Sequence, residues 1–169
     1  MDIRVFYLFC SAGPHSVQSK IPCMTFSRLD ANNRQALAQA LANDEWVVAC
    51  LCAAWCGSCR EYETGFGQLA ERHPQHHFVW IDIEDQADVV GDFDVDNFPT
   101  LLIQRGATVT FFGAMEPEVR LAERIFMTHQ QKSPEELQAE SISTEQRRVW
   151  QRDYDLQKRL NDAPSDATR

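Results

Sequence analysis

No stretch of this 169-residue sequence approaches the ~18–20 consecutive apolar residues that a membrane-spanning helix needs. Basic charge is scarce where it would matter most. Residues 25–131 hold 7 Lys and Arg against 16 Asp and Glu, so this segment alone matches the formal net charge of −9. The first 24 residues contribute +1 and residues 132–169 contribute −1. Without a basic stripe the chain has no surface suited to releasing counterions from nucleic acid, or to settling on anionic lipid. Neither partner is expected. Six cysteines are too few for a disulfide-framed miniprotein, and four of them crowd into residues 50–59. Internal repeats and low-complexity blocks are also lacking.

What remains is an ordinary globular composition, 44% hydrophobic and 24% charged, long enough for one domain with additions. Residues 1–24 form an N-terminal extension. Asp2 offsets Arg4, and the apolar run from Val5 to Cys10 is shorter than the ~7–15 residues of a usual export-signal core. Phe9 ahead of Cys10 also departs from a lipoprotein signal. An edge strand or an extension is the expectation, with export as the alternative and Met24 as a second candidate start.

Residues 34–45 carry helical spacing, with Leu37, Ala40 and Leu41 on one stripe. The run WVVACLCAA then predicts a buried central strand. A helix follows from Ser58 to His73, with Gly65 and Gly67 marking an expected kink and Pro74 its end. HFVWIDIED predicts a strand with Phe78, Trp80 and Asp82 on one face, followed by a short acidic helical connection. A hairpin turning at QRGA and a helix after Pro117 bearing Val119, Leu121, Ala122, Ile125 and Phe126 complete residues 25–131. Residues 132–169 read as a separate helical extension and tail. Ser133, Pro134 and Glu136 spell a capping box, and a second, single helix over residues 144–160 places Trp150 and Tyr154 on its packing side. Residues 161–169 are expected to be disordered.

Cys56 and Cys59 stand where the buried strand gives way to a helix. A first cysteine at a helix N-terminus meets unpaired N–H groups and the positive end of the dipole, which stabilise its thiolate. A second cysteine one turn on is more buried and can close a disulfide. By itself the Cys-x-x-Cys spacing also allows half of a metal site, and Cys50 and Cys52 could join it in a zinc or iron–sulfur cluster. The alternation of Cys50 and Cys52 on one strand face puts their α-carbons roughly 6.6 Å apart at ~3.3 Å per residue. That is poor for a mutual disulfide, and core packing is the reading for both. Cys10 and Cys23 read as free or incidental, and His76 and His77 as a solvated pair in a turn.

AAWCGSCREYE, with FPTLLIQRG setting Pro99 40 residues after Cys59, resembles the thioredoxin family from about Phe26 to Gln131. That resemblance implies a thioredoxin fold, an α/β architecture in which a central mixed sheet is flanked by helices, here with a C-terminal helical extension. It implies a thiol–disulfide oxidoreductase that needs no bound cofactor. Cys56 would be the nucleophile, Cys59 the resolving thiol and Pro99 a cis-proline beside the disulfide. Trp55, Gly57, Ser58, Phe98, Gly113 and Ala114 would complete the docking surface for disulfide-containing or thiol protein clients, with an upstream disulfide reductase or a small thiol as electron donor if the chain works as a reductase. Three departures qualify it. Ser58 stands in place of the family's proline, which should make the couple more oxidising. Cys50 and Trp80 replace the buried aspartate and lysine that serve as the usual proton acceptor for the second cysteine. Asp82, Glu84, Asp85, Asp88, Asp92, Asp94 and Asp96 form an acidic run that opposes thiolate formation and favours basic partners, partly compensated by Arg60. A binding or co-chaperone module with a weak or regulatory dithiol is the alternative. A reducing cytoplasm is the expected compartment for so many cysteines.

Overall fold

Seven consecutive residues, WVVACLC, are apolar with no Gly or Pro, so this segment can only be satisfied with both of its faces covered. The computed structural model, which describes residues 26–164, places them as β2 (Trp46–Cys52), buried at every position. The elements before it are β1 (Phe26–Arg28) and α1 (Arg34–Ala42). After it come α2 (Gly57–Arg72), β3 (His77–Asp82), the short α3 (Ala87–Val90), β4 (Thr100–Arg105), β5 (Thr108–Ala114) and α4 (Val119–Gln130). Three more helices close the described chain: α5 (Pro134–Ser141), α6 (Glu145–Asp153) and α7 (Leu156–Asp162). The readings of residues 1–24, including Cys10 and Cys23, and of residues 165–169 lie outside the described residues.

The five strands form one mixed sheet in the order β1-β3-β2-β4-β5. β3 runs parallel to both β1 and β2, whereas β4 is antiparallel to β2 and β5. One sheet face packs against α2 and α4, where Phe66, Leu69, Phe78, Leu101 and Phe126 are fully buried. The other face carries Val47, Ala49, Leu51 and Leu102 against α1, α3, α6 and α7. β1 was not anticipated from the sequence. Three residues are too few to show a period of two, and Phe26 identifies itself only through its edge contact with Phe66.

The hairpin between β4 and β5 turns on Gly106 and Ala107. Gly106 adopts φ +52°, and a Cβ there would lie 2.6 Å from Asp44 Oδ1, so both conformation and space require glycine. In α2 the two glycines leave the helix continuous to Arg72. Gly65 instead provides close approach to α4, since a Cβ would sit 2.5 Å from Val119 Cγ2.

The C-terminal extension packs on its own domain. α5 begins with the expected reciprocal capping box between Ser133 and Glu136. The single helix expected over residues 144–160 is two helices. Asp155 ends the first by capping α7, its Oδ1 accepting from Gln157 N and Lys158 N, while Tyr154 stacks on Phe112 at 4.0 Å between ring centroids. The break is tied to the sheet by Gln104, a fully buried amide on β4. Its Nε2 donates to Asp155 Oδ1 (2.7 Å) and to Gly106 O (2.9 Å), and its Oε1 accepts from Leu156 N (2.8 Å). Apolar periodicity continues through this junction, which is why the pattern reads as one helix. Trp150, Leu156 and Leu160 are thereby buried in the same cluster as β2.

His76 and His77 are not a solvated pair. His76 is half-buried, hydrogen-bonded to Gln130 and edge-on to Phe126, while His77 opens β3 and pairs with Glu45 at 2.6 Å. His129, on α4, is buried with Nδ1 lacking a hydrogen-bond partner among the described residues. Burial pushes both His76 and His129 down to about 4, with Lys132 and Arg147 adding to the effect on His129 against the opposing Glu140.

Two outcomes follow for stability. Both histidines are neutral in the folded chain yet take up a proton in the unfolded chain below about pH 6.5, so their contribution is complete above that pH. It is lost as pH falls from 6.5 toward 4. The urea midpoint should therefore drop across pH 6.5 to 4.5, and His129→Gln should flatten that slope. Asp155→Ala removes the α7 cap and an acceptor of Gln104, and should cost about 1–2 kcal/mol in urea unfolding at pH 7.

Candidate functional site

The end of β2 and the start of α2 define the site. Cys52 is the last residue of the strand, and Cys56 N-caps the helix with extended backbone angles, φ −77° and ψ 111°. Its own N–H donates to Ala53 O at 3.0 Å, closing the turn that lifts the Cys56 sulfur to the surface. Cys59, one turn along, faces inward and is 1% exposed. The sequence has thus produced the two environments that a dithiol couple needs.

Those environments separate the thiols chemically. Cys56 Sγ lies 3.2 Å from Ser58 Oγ. The Ser58 hydroxyl, then the Cys59 thiol and the N–H groups of the first helical turn, hold the Cys56 pKa below the ordinary thiol value. Burial pushes Cys59 up, and its contacts with the Cys52 and Cys56 thiols add to the shift. Cys50, Cys52, Cys56 and Cys59 are all free thiols, and the sulfurs of Cys50 and Cys52 touch at 3.6 Å in the core. Among the described residues, no three His, Cys, Asp or Glu are arranged to hold a metal ion.

The remaining expected residues gather around Cys56. Trp55 is 65% exposed, packs edge-on to Phe98 with ring centroids 5.6 Å apart, and donates from Nε1 to Glu84 at 3.3 Å. The Phe98–Pro99 peptide is cis, Phe98 is half-buried and Pro99 is buried. Pro99 O accepts from Met115 N at 3.0 Å, which fixes the end of β5 beside it. Gly113 and Ala114 occupy that end, pairing with Leu101 and Thr100. Ser58, Phe98, Ala114 and Met115 then line a groove of about 710 Å³ that continues along Phe111 and Ile125. Gly57 is exposed at the first helical position. Arg60 turns back to donate to Ala54 O at 2.9 Å, so its charge stays on the thiol side of the helix.

The acidic run divides. Asp88 is held by Arg34, Asp92 pairs with Arg159, and Asp82 caps the turn through Glu84 N and Asp85 N. Asp94 and Asp96 remain exposed and line a cavity of about 350 Å³ with Trp150 and Tyr154. Cys50 lies across the β2–β3 ladder from Trp80, both buried, so this part of the interior carries a thiol and an indole with no carboxylate–amine pair. Sequence reading missed Tyr62. Its ring packs near Phe66 and Trp80, and its buried hydroxyl has no hydrogen-bond partner among the described residues. Its position three residues after Cys59 on α2 was the available signal.

Comparison with known proteins agrees with this geometry. The sequence model described as Thioredoxin matches residues 25–126. Thioredoxin H4-1 of rice, Oryza sativa subsp. japonica, is 31% identical over 85 residues, covering 49% of this chain and 65% of that protein. Thioredoxin of Mus musculus is 30% identical over 89 residues, covering 51% of this chain and 85% of its own. The match to the rice protein thus spans just under two thirds of its length. Among solved structures, a poplar thioredoxin h superposes with a TM-score of 0.57 at 18% identity, covering 64% of this chain and 99% of that one. The matched region contains the sheet, the dithiol and the cis-proline but stops before α5, so the three last helices are additions to a shared core. With more than half of its length matched and its fold the same, the chain belongs to the thioredoxin family.

Proposed function

We propose that this chain is a thiol–disulfide oxidoreductase that exchanges protein disulfides through Cys56 and Cys59. The observation that carries this reading is the pairing of a surface thiol, hydrogen-bonded to Ser58 at the start of α2, with a buried thiol one turn behind it. Cys56 attacks a client disulfide, forming a mixed disulfide and releasing one client thiol. Cys59 then attacks the Cys56 sulfur, freeing the second client thiol and leaving the Cys56–Cys59 disulfide. Client backbone pairs beside Phe98 and Pro99, and its side chains enter the groove along Met115 and Ile125. The exposed Glu116 in this groove, with Asp94 and Asp96 in the adjoining cavity, favours clients with basic flanks. Electrons for turnover come from an upstream disulfide reductase. One similar solved structure is a complex of a ferredoxin:thioredoxin reductase with thioredoxin f2, which supports that type of donor. A reducing, cytoplasmic setting fits four free thiols within ten residues.

Ser58 makes the couple more oxidising, because its hydroxyl stabilises the reduced, thiolate form of Cys56. Resolution by Cys59 is the slow step, since Cys50 and Trp80 offer no carboxylate to take its proton. This last feature also favours a second reading, a binding module in which a sluggish dithiol regulates docking and α5 to α7 contribute to a partner surface.

Two measurements test these statements. Cys59→Ser should accumulate a mixed disulfide with a model protein disulfide, lost in the Cys56→Ser, Cys59→Ser chain. If no adduct forms, and the wild type does not accelerate reduction of that disulfide by dithiothreitol, the enzyme reading fails. Cys56 alkylation should rise with pH through a midpoint below that of an ordinary thiol, because only the thiolate reacts. Ser58→Ala, by deleting the largest stabilising contact, should move that midpoint upward.

A further inference from the structure

The C-terminal extension does more than cover the sheet. Gln151 joins α6 to β5: its Oε1 accepts from Val109 N at 2.8 Å and its Nε2 donates to Val109 O at 2.8 Å. Between α6, the end of β5 and the loop before Pro99 lies the cavity of about 350 Å³. Its walls include Asp94 and Asp96 from the loop, Ala114 from β5, and Trp150 and Tyr154 from the extension. Asn97 and Ala114 also line the groove that holds Phe98 and Met115, so the cavity adjoins the surface on which the client is proposed to dock. The α6 wall lies beyond residues 25–126 and is therefore an addition to the shared core.

Uncommitted acids meet fixed rings in this cavity. Asp94 and Asp96 are exposed and, unlike Asp88 and Asp92, neither forms an ion pair among the described residues. The extension's own arginines are engaged elsewhere: Arg147 with Glu140, Arg148 with Glu145, Arg152 with Asp153 and Arg159 with Asp92. Tyr154 is stacked on Phe112 with centroids 4.0 Å apart, and Trp150 lies edge-on to Phe111 at 6.1 Å, so packing holds both rings in place before anything binds. The volume is near the lower end of the roughly 300–1,000 Å³ of small-molecule pockets, a size for one long side chain rather than a folded segment.

A guanidinium suits both features. It is planar and weakly hydrated, pairs with carboxylates through a fork of N–H donors and lies on aromatic faces, whereas an ammonium is a strongly hydrated point charge. Arg147 already lies over the Trp150 ring, 5.5 Å from its centroid, which is the same kind of contact within the chain.

We propose that this cavity is a recognition site for an arginine side chain of the client, so that α6 adds a specificity element to the dithiol. The proposal rests on the exchange reading above and narrows it, since clients then carry an arginine at a fixed spacing from the cysteine that joins Cys56. In an extended client chain neighbouring side chains point to opposite sides. One can enter the apolar groove while the next crosses the shared wall of Asn97 and Ala114 into the cavity. With α6 pinned by Gln151, the site is preformed and binding orders little of the protein.

The test uses the full chain as catalyst, with dithiothreitol in excess, on disulfide-linked homodimers of short alanine–glycine peptides containing one cysteine. Arg, Lys, Gln or Leu is placed in turn at each position flanking that cysteine. Reduction above the dithiothreitol background is followed by chromatography, well below saturation. Arginine at one position should raise the rate about five- to tenfold over glutamine there, with lysine between them, as expected when an exposed ion pair is joined by a cation–π contact. Gln146 is exposed on α6 and lines the cavity. Gln146→Arg places the chain's own guanidinium beside the carboxylates and should bring the arginine-to-glutamine ratio close to one, as should Asp94→Asn combined with Asp96→Asn. Gln146→Glu should keep the ratio or increase it. An arginine advantage that is equal at all positions, matched by lysine or retained in Gln146→Arg would be diffuse attraction and would overturn the site. A leucine peptide that outruns arginine, or no preference at all, would overturn it too. If no peptide disulfide is reduced faster than by dithiothreitol alone, the exchange reading fails instead, and the arginine site falls with it.

Discussion

Burial of β2 on both faces is the constraint on which the rest depends. A strand that must be covered twice recruits α2 and α4 to one side and α1 with the C-terminal helices to the other. Because β2 lies between β3 and β4, its C-terminal end opens at the centre of the sheet edge, where the turn through Ala53 to Cys56 emerges. Cys56 owes its position to this. α2 is anchored by Tyr62, Phe66, Leu69 and Ala70 to the same face that holds Cys50 and Cys52, so its N-terminus cannot drift from the strand end. The rigidity that presents Cys56 and the burial that withholds Cys59 have a single origin.

Around that point, opposing electrostatics are balanced at short range. The acidic loops would disfavour a thiolate, yet several of their carboxylates are committed to arginines and turns away from the sulfur. Hydrogen bonds from Ser58 and the helix N–H groups act at contact distance, where exposed charges several ångströms away are screened by solvent. Local donors therefore set the state of Cys56, and the acidic surround acts on it only weakly.

The main elements were legible in the sequence because each had a local signature. These were an apolar run for β2, helical spacing for α1 and α4, a glycine at the hairpin, and a serine–proline–glutamate start for α5. The cysteine spacing with its flanking elements gave the candidate site. Features decided by distant partners were not legible. Gln104 and Asp155 meet across 51 positions to break what reads as one helix, and nothing near either residue signals it. The pairing of His77 with Glu45 and the burial of His129 are likewise products of packing. Alternation placed Cys50 and Cys52 on one face, but their burial in one cluster with Cys59 required the helix above them.

The substitution of thiols and an indole for a buried charged pair changes what the interior can do. A carboxylate behind Cys59 would take its proton but must itself be kept hydrated or paired, at a cost to burial. Cys50, Cys52 and Trp80 avoid that cost, and Cys50 is fully buried. The same exchange leaves Cys59 without a base, so its ionisation is opposed by burial and by two neighbouring sulfurs. Proton release is then coupled to bond formation, because a sulfur that cannot be an anion in the core can still be half of a disulfide. A neutral core of this kind keeps the interior beneath α2 free of charge and leaves Cys59 with no carboxylate beside it.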